Sequence, residues 1–431
     1  MTTALIGFAI LLALCFFGFR VGYATLLVGL VGFATQRGWE AAFAMTGQQV
    51  IEDAMNYNLS VIPLFILMGV FIYRAEISRD LYDAAYAGLG RFRGGLALST
   101  VVACAGFSAV CGSSLATAAT MTKVAMPPMR KYGYSDSLAS GTIAAGGTLG
   151  IMIPPSVPLV IYAVVAEQDI GELFIAGVLP GILLVSLFMG AVAITVRFKP
   201  ESGPAGDPLS EEDKKRAFRA VWPIIGLFLL VLGGIYGRIF TPTEASGIGA
   251  FGAAVIAIMR GHLRTPREWI DVLGEAGKTT ASLFIVIFGA LVFAQFINLS
   301  GMPYDLVFFV EDMNLSPLGL VVVVAIIAVL MGMVFESIGI LLLLVPVFLP
   351  TLIQADVDMV WFGIVVVLVT ELGLITPPIG MNVFVVKSVM PSIRLADIFR
   401  GVTPFIVADV IALILVLLIP AIATFLPGLM R

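Results

Sequence analysis

Charge is what this sequence has least of: of its 431 residues 12% are Asp, Glu, Lys or Arg, whereas 60% are hydrophobic. Soluble domains carry about 25% charged residues, so the composition excludes a soluble globular protein and indicates an all-α polytopic membrane protein. A single histidine, His262, leaves almost nothing from which to build a histidine zinc site or a catalytic triad, and no enzymatic role is expected. Cys15, Cys104 and Cys111 lie in apolar runs without metal-ligand spacing, which excludes a disulfide framework. No long basic stretch with interleaved aromatics points to nucleic acid, and no cofactor is expected. The first apolar run, from Ala4, is long enough to stay in the bilayer, since spanning takes roughly 20 residues, and no cleavable signal peptide is read.

What the sequence does have is long apolar runs, two of them broken in the same way. The stretches 146–156, GGTLGIMIPPS, and 371–380, ELGLITPPIG, each combine glycines with two successive prolines. Glycine gives up helical order cheaply, and proline removes a backbone donor and frees the carbonyl four residues upstream. In lipid, unpaired backbone groups persist only where protein buries them or where they line a cavity. These two breaks are the first candidates for a binding site.

Taken in order, 4–35 is apolar but interrupted by Arg20 and Gly22, and is either one long tilted span or two short passes. Arg20 inside an apolar run is a functional candidate, with snorkelling or a subunit contact as the alternatives. An amphipathic connector at 38–58 leads to a span at 59–73 and an interfacial helix at 74–93. In 94–128 two apolar pieces, each too short to cross alone, flank CGSSLATAAT at 111–120 and end at Pro127 and Pro128, the pattern of a re-entrant hairpin. A broken span at 134–166, a plain span at 174–195 and a hydrophilic loop at 199–219 complete the first half. After spans at 221–236 and 245–259 and a basic segment at 260–278, the second half repeats the first: a span at 279–298, a connector at 299–316, a hairpin at 317–350, a broken span at 360–389 and a final span to Leu426. The expected units are 1–93 (scaffold spans and first arm), 94–166 (first hairpin and broken helix), 167–316 (scaffold spans, a cytoplasmic loop at 197–219, second arm), 317–390 (second hairpin and broken helix) and 391–431 (C-terminal span).

The repeat is visible by alignment: Pro154 with Pro377, Pro155 with Pro378, Gly150 with Gly373, Ser114 with Ser337 and Pro127 with Pro350 all differ by 223 in residue number. The connector before the first hairpin carries Arg74, Arg79, Arg91 and Arg93, whereas its counterpart has Asp305, Glu311 and Asp312 and no Lys or Arg. By the positive-inside rule the two connectors face opposite sides, so the repeats are inverted.

Such repeats bring four helix ends toward the bilayer midplane. Half-helix N-termini suit an anion such as a carboxylate, and unwound carbonyls suit Na⁺. One candidate cation site comprises Gly112, Ser114, Thr117, Gly147, Gly150 and Pro154; the other comprises Ser337, Gly339, Glu371, Gly373, Thr376 and Pro377. A substrate between them would meet Ser113, Ser114, Ser156, Glu336, Ser337, Thr376 and Asn382. For each there is a structural alternative. The small residues at 112–119 equally permit close helix packing, Glu336 and Glu371 are either ligands or partners for backbone donors, Asn382 and Gln295 read equally as interhelical glue, and Lys123 and Lys387 as snorkelling side chains.

GGTLGIMIPPS, the CGSSLATAAT tip and ELGLITPPIGMN, in a chain of this size with a polar central loop, resemble the large membrane (M) subunit of tripartite ATP-independent periplasmic (TRAP) transporters, the DctM family. The match is clearest at Gly112, Ser113, Ser114, Gly150, Pro154, Pro155, Ser337, Gly373, Pro377 and Pro378. The resemblance implies an elevator-type, Na⁺-driven importer in the bacterial or archaeal inner membrane. It would take an organic acid from a periplasmic solute-binding protein, with a small membrane subunit as a separate chain. A stand-alone divalent-anion/Na⁺ symporter, needing no binding protein, is the alternative within transport; an intramembrane enzyme or a structural subunit is the alternative outside it.

Overall fold

The computed structural model describes residues 2–313, 315–333 and 335–430. Asn314 of the second connector and Val334 of the second hairpin lie outside the described residues. The described chain is helical throughout, without a β-strand. Seven helices among the described residues are long and apolar enough to cross a bilayer, and a further pair bent by 40° makes an eighth if counted as one span.

The open question at the N-terminus resolves into two short helices, α1 (Thr2–Phe16) and α2 (Val21–Arg37). They are followed by α3 (Trp39–Ala54), a 3-10 turn (Tyr57–Ser60) running into α4 (Val61–Arg74), and α5 (Ile77–Leu89). The first hairpin is α6 (Gly95–Cys111) and α7 (Ser114–Lys131), and the first broken helix is α8 (Asp136–Met152) and α9 (Val157–Val165). Next come α10 (Ile170–Phe198), α11 (Glu211–Tyr236), α12 (Pro242–Met259), α13 (Pro266–Leu299) and α14 (Met302–Asp312). The second hairpin is α15 (Pro317–Gly332) and α16 (Ser337–Gln354), the second broken helix α17 (Met359–Ile375) and α18 (Met381–Val389), and α19 (Leu395–Leu418) and α20 (Ala421–Gly428) close the chain. The hairpin and broken-helix elements recur with nearly the same lengths, 17, 18, 17 and 9 residues in the first half and 16, 18, 17 and 9 in the second.

Several boundaries differ from expectation. The first tip is only Gly112 and Ser113, because Ser113 caps α7 by accepting from the Ala116 N–H at 3.4 Å, and α7 runs through Pro127 and Pro128. The glycines at 146, 147 and 150 do not break α8; the interruption is confined to 153–156, where proline denies α8 its last donors. The loop is shorter than 199–219, since Ser210 caps a helix that begins at Glu211 and continues into a span. It is also tied down: Gly206 N–H donates to the Gly90 carbonyl, Gly94 N–H to Gly203, and the Tyr132 hydroxyl to Asp207 Oδ2 at 2.8 Å. The basic segment after 260 is not separate from the next span, because α13 is one helix of 34 residues, and the final span ends at Leu418 rather than Leu426.

The centre of the molecule is α8, every residue of which from Leu138 to Met152 is buried. Its small side chains allow close approach on all sides: α6, α7, α10, α17, α18 and α19 all pack against it. At the α19 contact, a Cβ on Gly141 would lie 2.2 Å from the Gly401 carbonyl carbon. A second packed group joins α2, α4 and α13, with α12 against α4. There Gly22 sits on the Val286 backbone and Gly29 on Phe293, while Gly7 and Gly32 both meet the Phe296 ring. The α1–α2 hairpin therefore lies along α13 with its closed end beside Val286.

Candidate functional site

One large cavity, about 1130 Å³, lies between these two groups. Both hairpin tips reach it, through Gly112, Ser113 and Ser114 on one side and Phe335, Glu336, Ser337 and Gly339 on the other. Both breaks also reach it, through Ile151, Val157 and Pro158 and through Ile379 and Met381. The facing wall comes from α1, α2, α4 and α13: Arg20, Tyr23, Tyr73, Glu275, Thr279 and Ser282. Glu275 is engaged by Arg74, whose Nη2 lies 3.1 Å from Oε2. Each tip starts a helix, so the first amides of α7 and α16, which lack intrahelical acceptors, lie at the cavity wall.

Of the expected site residues, Gly112, Ser113, Ser114, Glu336, Ser337 and Gly339 line the cavity, whereas Gly147, Gly150, Pro154, Ser156, Gly373, Thr376, Pro377 and Asn382 do not. The Ser156 hydroxyl is buried and donates to the Ile151 carbonyl, one of the acceptors that proline leaves free. Thr376 Oγ1 donates to the Leu372 carbonyl at 2.5 Å. Gly373 packs on Gly332 so tightly that a Cβ would lie 2.6 Å from its Cα. The equivalent Gly150 packs on Ser108 and Ser113 of its own hairpin, so each broken helix touches the first arm of the hairpin before it.

Behind the first tip, several buried polar side chains lie along α8. Gly147 leaves room for Asn382 Nδ2 and the Ser114 carbonyl, each 3.1 Å from where its Cβ would be. Asn382 donates to the Ala144 carbonyl at 3.1 Å and so joins α18 to α8. Its Oδ1 and, beside Gly150, Ser108 Oγ are buried without a hydrogen-bond partner among the described residues, while the buried Thr117 Oγ1 faces the Cys111 thiol. Buried polar atoms without partners are costly, and a concentration of oxygen acceptors suits a small hard cation. The sequence reading placed Asn382 at a substrate rather than here, and it missed Ser108, which nothing distinguishes from any helix serine until α8 is packed against it.

Glu371 is fully buried against the Met152 backbone with Asp409 of α19 as a neighbour. The Asp409 carboxylate has no hydrogen-bond donor among the described residues, and Glu371 has only the Met152 backbone beside it. Such a pair in a membrane core requires a compensating proton or cation. Asp409 was missed, although an acid inside the last apolar run carries the same signal as Glu371. Gln295 is interhelical, donating to Gln49 Oε1 at 2.9 Å, and Lys387 Nζ donates to the Pro391 and Ile393 carbonyls.

Comparison with known proteins identifies the architecture. The family model for the DctM component of tripartite ATP-independent periplasmic transporters matches residues 8–422. A C4-dicarboxylate TRAP transporter large permease protein of Pseudomonas aeruginosa is 37% identical over 88% of both chains. A sialic acid TRAP transporter large permease protein of Vibrio cholerae is 30% identical over 97% of both. Among solved structures, the Alcanivorax borkumensis YdaH transporter superposes with a TM-score of 0.64 over 90% of this chain and 89% of its own at 14% identity, a likeness of fold. With a multi-pass helical membrane fold whose hairpin tips and helix breaks meet at one cavity, this chain belongs to the DctM component family of tripartite ATP-independent periplasmic transporters, whose members are inner-membrane permeases and not enzymes.

Proposed function

We propose that this chain imports an organic acid, driven by a Na⁺ gradient, after delivery by a periplasmic substrate-binding protein and together with a small membrane subunit. The observation that carries the reading is the single cavity on which both hairpin tips and both helix breaks converge. Relatives named for C4-dicarboxylate, sialic acid and ectoine transport bound the substrate class, with sugar acids, keto acids and C4-dicarboxylates the candidates. The helix starts at the tips, α7 capped by Ser113 and α16 preceded by Glu336, supply amides for a carboxylate, and the buried oxygens of Ser108, Thr117 and Asn382 near α8 supply ligands for Na⁺.

The matching helix lengths and the opposite charge of the two connectors support inverted repeats. Packing supports a moving unit larger than 94–166 plus 317–390: α19 packs chiefly on α8, and α10 on α19 and α20 as well as on α8 and α17, so they travel with the hairpins, while α1–α4 and α11–α13 form the frame and α5 and α14, which pack on both, join the two. The cavity between the two groups is bordered by the Arg74–Glu275 pair, so its mouth lies toward the arginine-rich, cytoplasmic side. Alternating access is then a rigid displacement of the moving unit along the frame. The test is uptake of labelled acids by proteoliposomes containing this chain and its small subunit, with and without a Na⁺ gradient and the binding protein. Uptake requiring both is expected; sodium-dependent uptake without the binding protein would replace the proposal with a stand-alone symporter, and no uptake by folded protein would overturn transport.

A further inference from the structure

Three acidic or basic side chains line the frame wall and tips of the cavity: Arg20, Glu275 and Glu336. Glu275 is paired with Arg74. Arg20 has no ion pair or hydrogen bond to its side chain and is exposed, so it is the one unpaired cation lining this cavity among the described residues. Its position is fixed by backbone rather than by side-chain bonds. Gly18, at φ +89, lets α1 end with Phe19 N–H donating back to the Leu14 carbonyl, and Arg20 takes the cap position of α2 with its carbonyl accepting from Tyr23 and Ala24. Two residues on, Gly22 is seated directly on the Val286 backbone, and Gly289 on the Gly22 carbonyl, which holds the start of α2 against the middle of α13.

An unpaired guanidinium within an apolar stretch of the sequence and at the edge of a cavity calls for an anionic partner. We infer that Arg20 is the frame-side recognition residue for the substrate's carboxylate, next to the second hairpin tip, where the neighbouring Val21 meets Gly339, and acting with the amides and hydroxyls of the tips. The inference rests on the transport reading and adds a specificity determinant on the wall that does not move. A carboxylate bridging Arg20 and a tip is held across the boundary between frame and moving unit. Arg20 therefore contributes to affinity in the conformation described here and releases the substrate when the tips slide away. A planar guanidinium engages a carboxylate through two parallel donors, which a lysine ammonium does not reproduce.

The test uses proteoliposomes of the complete complex, and detergent-purified complex for thermal stabilisation, with succinate, gluconate, pyruvate and ectoine as probes for wild type, Arg20→Gln and Arg20→Lys. For whichever carboxylate the wild type imports, Arg20→Gln is expected to raise KM about ten- to a hundredfold, the loss of a charge-assisted hydrogen bond, with the Na⁺ half-saturation and thermal stability without substrate unchanged. Arg20→Lys should recover part of that loss. The mono-amide of the transported acid should compete less well than the acid against wild type and equally well against Arg20→Gln. An unchanged KM in folded Arg20→Gln, or a loss of stability that Arg20→Lys does not restore, overturns the inference while leaving the transport reading intact. A wild type silent toward every probe, in uptake and in stabilisation, counts against both.

Discussion

Replacing Gly147 by alanine tests whether the cluster behind the first tip holds a cation. The added Cβ would lie 2.9 Å from Ala118 Cβ, 3.1 Å from Asn382 Nδ2 and 3.1 Å from the Ser114 carbonyl oxygen, whereas ordinary van der Waals contact begins at 3.4 Å. Because one of these neighbours is backbone and another is a buried, bonded amide, α7 and α18 must withdraw from α8 by a few tenths of an ångström. Overpacking of this kind costs about 1–3 kcal/mol, offset by about 1 kcal/mol from the better helix propensity of alanine, so the fold should survive with a net loss of ~0–2 kcal/mol. The oxygens of Ser114, Thr117 and Asn382 would be spread apart. A misplacement worth ~1–2 kcal/mol raises the half-saturating Na⁺ concentration about 5- to 30-fold. The assay is sodium titration of uptake, with thermal unfolding measured on the same preparation. Gly274→Ala is the control, since nothing lies within 4 Å of the Cβ it would add. A Gly147→Ala protein that folds and titrates with sodium like wild type would refute the assignment.

Three further outcomes follow from the same geometry. Ser114→Ala and Ser337→Ala remove the hydroxyls of two serines buried at the tips; both should raise the sodium requirement without a matching fall in melting temperature, and unchanged titrations in both would remove the tips from the cation sites. Gly401→Ala would place a Cβ 1.9 Å from the Ser137 carbonyl oxygen, so α19 cannot stay seated on α8; a loss at or above the upper end of the ~1–3 kcal/mol overpacking range is expected, and a wild-type yield of monodisperse protein would contradict the packing. Burial raises the Asp53 carboxyl above the ordinary aspartate range, against the lowering effect of the bond from Gln49. A folded-state pKa above the unfolded value favours folding at low pH, and that contribution is lost as pH rises through the folded pKa. Asp53→Asn should therefore gain stability relative to wild type as pH goes from about 4 to 7, and thermal melts showing a gap independent of pH would exclude this.

The membrane class, the helical composition and the pairing of two hairpins with two proline breaks were legible in the sequence, because each depends on local chemistry. Apolar runs need backbone satisfaction in lipid, double prolines remove donors wherever they fall, and serines before apolar runs cap helices. The same logic located Ser113, Ser114, Glu336 and Ser337, which lie at breaks and tips and do line the cavity. It misjudged what the glycines of 146–150 do: locally they weaken a helix, yet α8 runs unbroken through them and they let α7, α18 and the Ser108 region approach it. Only tertiary structure decided the distant partners: Asn382 against Gly147, Asp409 beside Glu371, α10 and α19 against α8, and Arg20 at the cavity that the tips line. These pairs are separated by tens to hundreds of residues, and no periodicity encodes which helix face meets which. That choice is made by close packing of small residues, a property of two surfaces together and of neither sequence segment alone.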